Sequence, residues 1–191
     1  MADELRVLFP QKAIRERIRA LAKQISRDYA GRVTEEEPLL LLCTLRGAVF
    51  FAADLARALT VPCEIDFIKV RSYVDMQSVY RPKFSLGRGI RVKKRNVLIV
   101  EDIVDTGRTM QAVTAHYMKK SPASVEICTL LDKREARDPE CADVCPKYVG
   151  FAVDPVFVVG CGLDCNEKYR LLPDIMELHR TDGACRTADE S

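Results

Sequence analysis

Three carboxylates, two threonines and a glycine follow an apolar run in the middle of the chain. Residues 97–100 are typical of a strand buried on both faces, and Glu101 and Asp102 come directly after them. Asp105 and the small residues 106–109 then lead into a stretch with helical spacing. Carboxylates can bind sugar hydroxyls or a hydrated Mg²⁺, and a turn of small residues can bind a phosphate. This combination indicates a phosphorylated sugar as the ligand.

The turn at residues 105–109 has the features of an anion site. Apolar residues recur at helical spacing over 110–118, and the unpaired N–H groups at a helix N-terminus carry the positive end of its dipole. Gly107 allows close approach, and the hydroxyls of Thr106 and Thr109 add donors. The alternative is a solvated acidic loop without a ligand. The sequence contains neither G-x-G-x-x-G nor G-x-x-x-x-G-K-[ST], which argues against hydride transfer and nucleoside triphosphate hydrolysis.

A second junction of the same kind lies earlier in the chain. The apolar run 39–45 predicts a strand, Arg46 and Gly47 follow it, and residues 48–59 look helical. A guanidinium can bind phosphate oxygens, so this turn suits a second anion, although an exposed surface arginine is the alternative. Lys133 follows a predicted strand at 125–131, at the sheet edge where α/β proteins bind ligands. It could donate to a carbonyl oxygen, unless it is an ordinary surface lysine.

These candidates require a sheet of parallel strands to bring them together. Strands alternate with helices along the chain, which predicts an α/β fold, and residues 11–29 predict an amphipathic helix that Gly31 ends. Residues 63–70 predict a further strand. Residues 71–95 are basic and weakly periodic, so we expect a mobile loop of the kind that covers an active site.

Composition limits the other possibilities. The 191 residues suit one domain, and 30 basic against 28 acidic residues argue against nucleic-acid and membrane-surface partners. The apolar runs are too short to cross a bilayer and the first residues lack the layout of a signal peptide, so we expect a cytoplasmic protein. Eight cysteines allow a zinc site at 141/145 and 161/165, but the three-residue spacers fit poorly. Reduced thiols are expected at Cys43, Cys63 and Cys128.

Residues 97–110 closely resemble the phosphoribosyl pyrophosphate (PRPP) motif of the purine phosphoribosyltransferases, in the version found in the hypoxanthine-guanine enzymes. The resemblance spans residues 12–180. It implies a three-layer α/β, Rossmann-like type I phosphoribosyltransferase fold, with a mostly parallel central sheet, helices on both faces and a small hood. We expect one domain over 1–180, with a core at about 38–147, a hood from about 1–37 and 148–180, and a flexible tail at 181–191.

The resemblance also implies a reaction, namely transfer of the phosphoribosyl group from PRPP to hypoxanthine or guanine in purine salvage. Mg²⁺ would be the cofactor, and the enzyme would be a homodimer or homotetramer. Asp105 would be the catalytic base. The implied substrate-binding residues are Arg46, Gly47, Ser72, Tyr73, Glu101, Asp102, Thr106, Gly107, Arg108, Thr109, Lys133, Phe157, Val158 and Arg170, and the implied Mg²⁺ ligands are Asp164, Glu101 and Asp102.

Two other classes of protein stay open at this point. A regulatory, RNA-binding member of the same fold would use the basic segment 88–95, but Lys133 and Phe157 suit a purine better. Phe157 alone could equally be a core residue. A metal-binding cysteine protein is the other alternative. Cys161 and Cys165 are unusual for the resembled family, where an aromatic residue is common at the second position.

Overall fold

The computed structural model describes residues 4–74, 80–85 and 89–179, and only the backbone at 71–74, 80–83 and 85. The elements, in chain order, are β1 (Glu4–Phe9), α1 (Gln11–Tyr29), β2 (Leu39–Leu45), α2 (Val49–Ala58), β3 (Cys63–Val74), β4 (Tyr80–Ser85), β5 (Asn96–Val104), α3 (Arg108–Met118), β6 (Ser124–Asp132), β7 (Tyr148–Ala152), β8 (Val158–Val159) and β9 (Ile175–His179). Two short 3₁₀ turns follow β6, at Arg134–Ala136 and Pro139–Cys141.

The central sheet has six strands in the order β4-β3-β2-β5-β6-β7. All neighbouring pairs are parallel except β3 and β4, which confirms the mostly parallel α/β fold. The chain crosses to opposite sides of β2 when it forms β3 and β5. The direction in which strands are added to the sheet therefore reverses at β2, and open α/β sheets bind ligands at the carboxyl ends of the strands beside such a reversal. The turn after β2 and the acidic residues of β5 therefore lie next to each other.

The leucine-rich strand β2 is buried on both faces, as its continuous apolar sequence predicts. Leu39, Leu41 and Cys43 pack into one apolar core with α1 and α2. Leu40 and Leu42 pack into a second core with Val113 and Tyr117 of α3. Helices therefore cover both faces of the sheet, as expected. Because successive side chains of β2 enter opposite cores, a shift of this strand by one residue would exchange the two sets, so its register is fixed.

Helix α1 has the predicted bounds, 11–29, and its buried stripe includes Ile14, Ile18, Leu21 and Ile25. Gly31 adopts φ +74°, a conformation suited to glycine, just after the helix. The expected domain boundaries differ from the structure here. Helix α1 packs in the core, and β7 pairs with β6 in the main sheet instead of contributing to the hood. An apolar helix stripe needs a sheet face to cover it, which the small hood does not offer.

The hood is a separate antiparallel sheet in the order β1-β9-β8, and its strands come from both ends of the described chain. Its register pairs Leu5 with Leu178, and Val159, Cys165 and Leu178 form a small buried cluster. The predicted tail at 181–191 lies outside the described residues.

Residues 71–95 were expected to be a mobile loop, but part of this segment is regular. Strand β3 runs on to Val74 and pairs with β4, with Ser72 opposite Pro82 and Tyr73 opposite Arg81. An edge pair of this kind is held by backbone hydrogen bonds and needs little apolar periodicity, which is why the sequence pattern missed it.

The described residues also bear on the state of the cysteines, on metal binding and on membrane insertion. Cys43, Cys63 and Cys128 are free, as predicted, and burial raises the pKa of Cys43 to about 12. Cys165 is disulfide-bonded. Within the part of the chain that the structure describes, no three His, Cys, Asp or Glu side chains cluster as a metal site, and no helix is long and apolar enough to cross a membrane.

Candidate active site

A cavity of about 410 Å³ opens at the carboxyl ends of β2, β5 and β6, below the hood. Fourteen of the sequence-predicted site residues line it: Arg46, Gly47, Glu101, Asp102, Asp105, Thr106, Gly107, Arg108, Thr109, Lys133, Phe157, Val158, Asp164 and Arg170. The side chains of the two others, Ser72 and Tyr73, lie outside the described residues. The cavity thus brings together groups from four separate stretches of the sequence.

The adjacent carboxylates Glu101 and Asp102 lie within strand β5, which continues to Val104 instead of ending at residue 100. Pairing with β6 extends the strand as far as Val104 opposite Asp132. Glu101 is only 8% exposed, and its Oε1 accepts hydrogen bonds from the Thr44 hydroxyl (2.7 Å) and the Asp102 backbone N–H (3.2 Å). Asp102 in turn accepts from the Ile103 N–H at 3.0 Å. The strand therefore presents both acids with their orientation already fixed.

Gly47 is required by the close approach of Asp102. A Cβ atom at Gly47 would lie 1.6 Å from Asp102 Oδ2, so no other residue fits without moving that carboxylate. The peptide bond between Leu45 and Arg46, which precedes this glycine, is cis. Gly162, with φ +105°, packs against the same turn, since its Cβ would lie 2.0 Å from the Gly47 carbonyl oxygen. The sequence pointed to Gly47 but gave no sign that Gly162 packs on it.

The predicted phosphate cradle is the turn before α3. Gly107 is the N-cap residue, with φ +85°, and its carbonyl accepts the first helical bond from Gln111 at 2.9 Å. The N–H groups that follow it therefore point out of the helix start into the cavity, where they suit an anion.

The Arg108 guanidinium bonds to Asp138 at 2.7 Å. The pKa of Asp138 is lowered by a hydrogen bond from the Glu140 backbone N–H and by the contact with Arg108.

Arg137 contacts the turn before α3 and holds it in place. The sequence did not reveal this role. Its Nη1 donates to the Asp105 carbonyl at 2.7 Å, and its guanidinium also pairs with the buried Asp132. Its Cδ packs so closely that a Cβ at residue 107 would lie 2.7 Å away. Arg137 is 7% exposed as a side chain. Nothing in the sequence distinguishes it from the many surface arginines, since its contacts depend on the folded turn.

Asp105 and Lys133 form an ion pair at 3.0 Å across the mouth of the cavity. The Asp105 side chain is 46% exposed, whereas the Lys133 side chain is only 10% exposed. The Lys133 backbone N–H bonds to the Val104 carbonyl at 2.9 Å, which fixes the lysine beside the end of β5. An acceptor and a cationic donor therefore stand side by side, where one ligand edge could reach both.

The two arginines predicted to bind anions share one partner. Glu167 pairs with Arg46 and also with Arg170, at 3.4 Å. Arg170 additionally meets Asp164 at 2.7 Å and donates to the Gly162 carbonyl at 2.6 Å. Burial acts to raise the pKa of Glu167, but the nearby arginine charges outweigh it and keep that pKa below its usual value. Both of these arginines are thus paired with carboxylates in the described structure.

Comparison with known proteins gives a consistent result. The family model described as a phosphoribosyl transferase domain matches residues 7–166. The hypoxanthine-guanine-xanthine phosphoribosyltransferase of Tritrichomonas foetus is 38% identical over 92% of both chains. The hypoxanthine-guanine phosphoribosyltransferase of Mycobacterium tuberculosis H37Rv is 42% identical over 86% of this chain and 81% of its own.

Solved structures agree with the sequence comparison. The hypoxanthine phosphoribosyltransferase of Trypanosoma cruzi, in complex with the product IMP, superposes with a TM-score of 0.81 at 38% identity, covering 91% of this chain and 93% of that one. Another structure of the T. cruzi enzyme (TM-score 0.82, 38% identity, 91% of both chains) comes from work on the role of its C-terminal region in oligomeric state and activity. By sequence, fold and family model, the chain belongs to the phosphoribosyltransferase family, among the hypoxanthine-guanine phosphoribosyltransferases.

Proposed function

We propose that the chain transfers the 5-phosphoribosyl group of PRPP to hypoxanthine or guanine, giving IMP or GMP and pyrophosphate, and that the cavity at the end of β5 is the active site. The observation that carries this proposal is that one cavity contains the adjacent carboxylates Glu101 and Asp102, a helix start suited to phosphate, and the adjacent Asp105 and Lys133. The relatives are named for the same reaction, and the T. cruzi structure contains its product IMP.

The anionic parts of PRPP are assigned to two places. The 5′-phosphate binds the turn at residues 106–109, where N–H groups of the helix start and the threonine hydroxyls donate to it. The pyrophosphate binds near Arg46 and Arg170, whose guanidinium groups stabilise the charge that develops as it leaves. The Arg108 side chain is held by Asp138, so Arg108 contributes to the cradle through its backbone N–H.

Mg²⁺ fits the oxygen donors of this cavity. Asp164, Glu101 and Asp102 line it, and carboxylates are ligands that Mg²⁺ prefers. They do not form a three-ligand cluster among the described residues, but Mg²⁺ is usually held by one or two carboxylates together with substrate phosphates. When bound, Mg²⁺ would neutralise charge on the pyrophosphate. The chain's own contribution is to hold these carboxylates where a metal-bound PRPP can reach them.

The purine lies between Phe157 and the Asp105–Lys133 pair. Lys133 donates to the 6-oxo group while Asp105 takes the proton from N7, and these two atoms share one edge of a 6-oxopurine. The 3.0 Å contact between the two side chains places donor and acceptor side by side for that edge. The Phe157 ring stacks on the base, and the Val158 backbone contacts its other edge. The Asp105 side chain is the general base for this step.

The ribose lies over Glu101 and Asp102, which accept hydrogen bonds from its hydroxyls. Departure of pyrophosphate leaves positive charge on the sugar, and two fixed carboxylates beside that sugar stabilise it. The segment that contains Ser72 and Tyr73 closes over the bound substrates and excludes water, which would otherwise capture the cationic sugar. Ser72 and Tyr73 lie near the end of β3, where it pairs with β4 at the edge of the sheet.

A spectrophotometric assay tests the whole proposal. Purified protein with Mg²⁺ and PRPP is mixed in turn with adenine, hypoxanthine, guanine and xanthine, and nucleotide formation is followed. We expect IMP and GMP from hypoxanthine and guanine, and no product from adenine, because Lys133 has no carbonyl to contact there. Absence of product with every 6-oxopurine, together with salt-dependent RNA retention, would instead support the RNA-binding alternative.

The assembly is also a proposal. We infer a homodimer or homotetramer, in keeping with the attention given to oligomeric state in the T. cruzi enzyme. Sedimentation velocity of the active protein, with and without PRPP, would give its mass in solution. The cytoplasmic location stays a prediction from the sequence.

A further inference from the structure

We propose that Thr44 is a positioning residue, which holds the Glu101 carboxylate in the orientation that binds the ribose of PRPP. This inference rests on the proposed function, because it assigns a role within the same site. Thr44 is not among the residues that the resemblance implied. It is a single hydroxyl residue near the end of an otherwise apolar strand, β2.

Sheet pairing puts the two side chains next to each other. Strands β2 and β5 run parallel with Cys43 opposite Val100, so the following residues, Thr44 and Glu101, are also neighbours. The Thr44 hydroxyl lies 2.7 Å from Glu101 Oε1 and 3.0 Å from the Val100 carbonyl oxygen. Both residues are buried, at 5% and 8% exposure, so water competes little for this contact.

The chemistry of the contact determines its direction. The Thr44 hydroxyl has one proton, and the two oxygens beside it, Val100 O and Glu101 Oε1, can only accept it. The carboxylate oxygen is the closer of the two, at 2.7 Å against 3.0 Å, and is the stronger acceptor, so Thr44 donates to Glu101 Oε1. The Asp102 backbone N–H donates to the same oxygen at 3.2 Å, so one fixed backbone group and one buried side chain hold Oε1 in place. Hydrogen bonds to a charged acceptor are roughly twice as strong as neutral ones. Loss of the hydroxyl would remove the shorter of these two hydrogen bonds and weaken the hold on Oε1, so the carboxylate could shift from the ribose position.

Thr129 provides a matched comparison within the same sheet. It lies directly opposite Glu101 on the other neighbouring strand, β6, and is fully buried. Its hydroxyl, however, bonds to the Leu131 carbonyl at 2.7 Å, within its own strand. Glu101 is thus flanked by two buried threonines, and Thr44 is the one whose hydroxyl bonds to its carboxylate. Valine has nearly the same shape as threonine, so the same substitution at both positions separates the hydrogen bond from the packing.

The test compares T44V, T44S and T129V with the wild-type chain, using steady-state kinetics with PRPP and hypoxanthine varied separately. We expect T44V to lower kcat/KM for PRPP by about 10-fold or more, because a hydrogen bond to a charged group is lost. The KM for hypoxanthine at saturating PRPP should stay within about twofold, since Thr44 lies on the ribose side of the cavity. T44S keeps the donor and should restore most of the loss, and T129V should resemble wild type.

Each other outcome would overturn the assignment. Wild-type kinetics for T44V would show that the Thr44 hydroxyl is not needed to orient Glu101. Equal losses of kcat/KM in T44V and T129V would show that altered packing, and not the hydrogen bond, causes the loss. A T44S variant as impaired as T44V would exclude the hydroxyl as the cause. If T44V is unstable by thermal unfolding, T44A compared with T44S makes the same test. A wild-type chain without activity would overturn the proposed function itself. An active wild type with an unaffected T44V would overturn only the role of Thr44.

Discussion

Two halves of the cavity differ in how their charged groups are held. In the first, the ribose half, Glu101 is buried and fixed by Thr44, and Asp102 is fixed by its own strand and fits closely against Gly47. In the second, the ion-pair half, the groups that would bind pyrophosphate and base bond to one another, as Asp105 does to Lys133 and Glu167 does to Arg46. The ribose half is held by bonds that a substrate can leave intact, whereas each pair of the ion-pair half has a member that the substrate itself contacts.

This difference has an energetic basis. The Arg46 and Glu167 side chains are 49% and 57% exposed, and exposed ion pairs contribute only about 0 to 1 kcal/mol. An anionic ligand can therefore replace such a pair at little cost. A buried carboxylate cannot easily be repositioned, because every lost hydrogen bond leaves a desolvated charge. Substitutions in the ribose half should then damage geometry, while those in the ion-pair half should act on single binding steps.

The largest effect is expected from a substitution of Asp105, the residue of the ion-pair half that we assign as the catalytic base. D105N keeps the shape of the side chain but can no longer take a proton, so kcat should fall by about 10² to 10⁴-fold. The dissociation constant of PRPP should change little, because the Asp105 side chain is directed at the base. Stopped-flow turnover and equilibrium titration with PRPP measure the two quantities separately.

The matched control for this change is D143N, at an exposed position that the cavity does not include. It should leave both quantities unaltered. If D105N turned over as fast as wild type, Asp105 would have no part in proton transfer and would be only a partner for Lys133.

The next largest effect tests the rigidity of the ribose half. G47A would place a methyl group 1.6 Å from Asp102 Oδ2, so the carboxylate or the turn must move. A displacement of about 1 Å in a substrate-positioning group can cost about 10²-fold, and we expect a loss of that order in kcat/KM for PRPP. G31A is the control, because Gly31 also has a special conformation, with φ +74°, but open space around it. It should lower the melting temperature and leave the kinetics unchanged.

A ribose half that tolerated G47A with normal kinetics would be adjustable, and the contrast between the two halves would disappear.

A smaller effect should follow from K133Q, in the ion-pair half. A charged donor to the 6-oxo group is lost, and hydrogen bonds of that type are worth about 1.5–3 kcal/mol, or roughly 10- to 100-fold in the KM for hypoxanthine. PRPP binding should not change, and Asp105 is exposed enough to remain solvated without its partner. K147Q, which removes an exposed lysine that pairs with Glu126, is the control. An equal rise in both KM values would mean that Lys133 supports the whole site instead of the base alone.

The same contrast explains how much of the site could be predicted from sequence. Arg46, Asp105 and Lys133 each follow an apolar strand, and parallel strands bring their carboxyl ends to one edge, so these were predictable together. Thr44 and Arg137 were not, because their contacts depend on strand register and on how a distant turn packs. Strand β5 was predicted too short for the same reason, since its last residues are held by pairing with β6.

The smallest expected effect has the opposite sign, which makes it the sharpest test of the ion-pair half. Glu167 competes with pyrophosphate for Arg46 and Arg170, so E167Q should tighten pyrophosphate binding by about two- to fivefold, as expected for loss of an exposed ion pair. Product inhibition by pyrophosphate against PRPP gives the constant, and the gain should shrink as salt screens the arginines. E35Q, in a loop remote from the cavity, is the control. Weaker pyrophosphate binding in E167Q would mean that Glu167 holds the two arginines in position, and then both halves of the cavity would be preset in the same way.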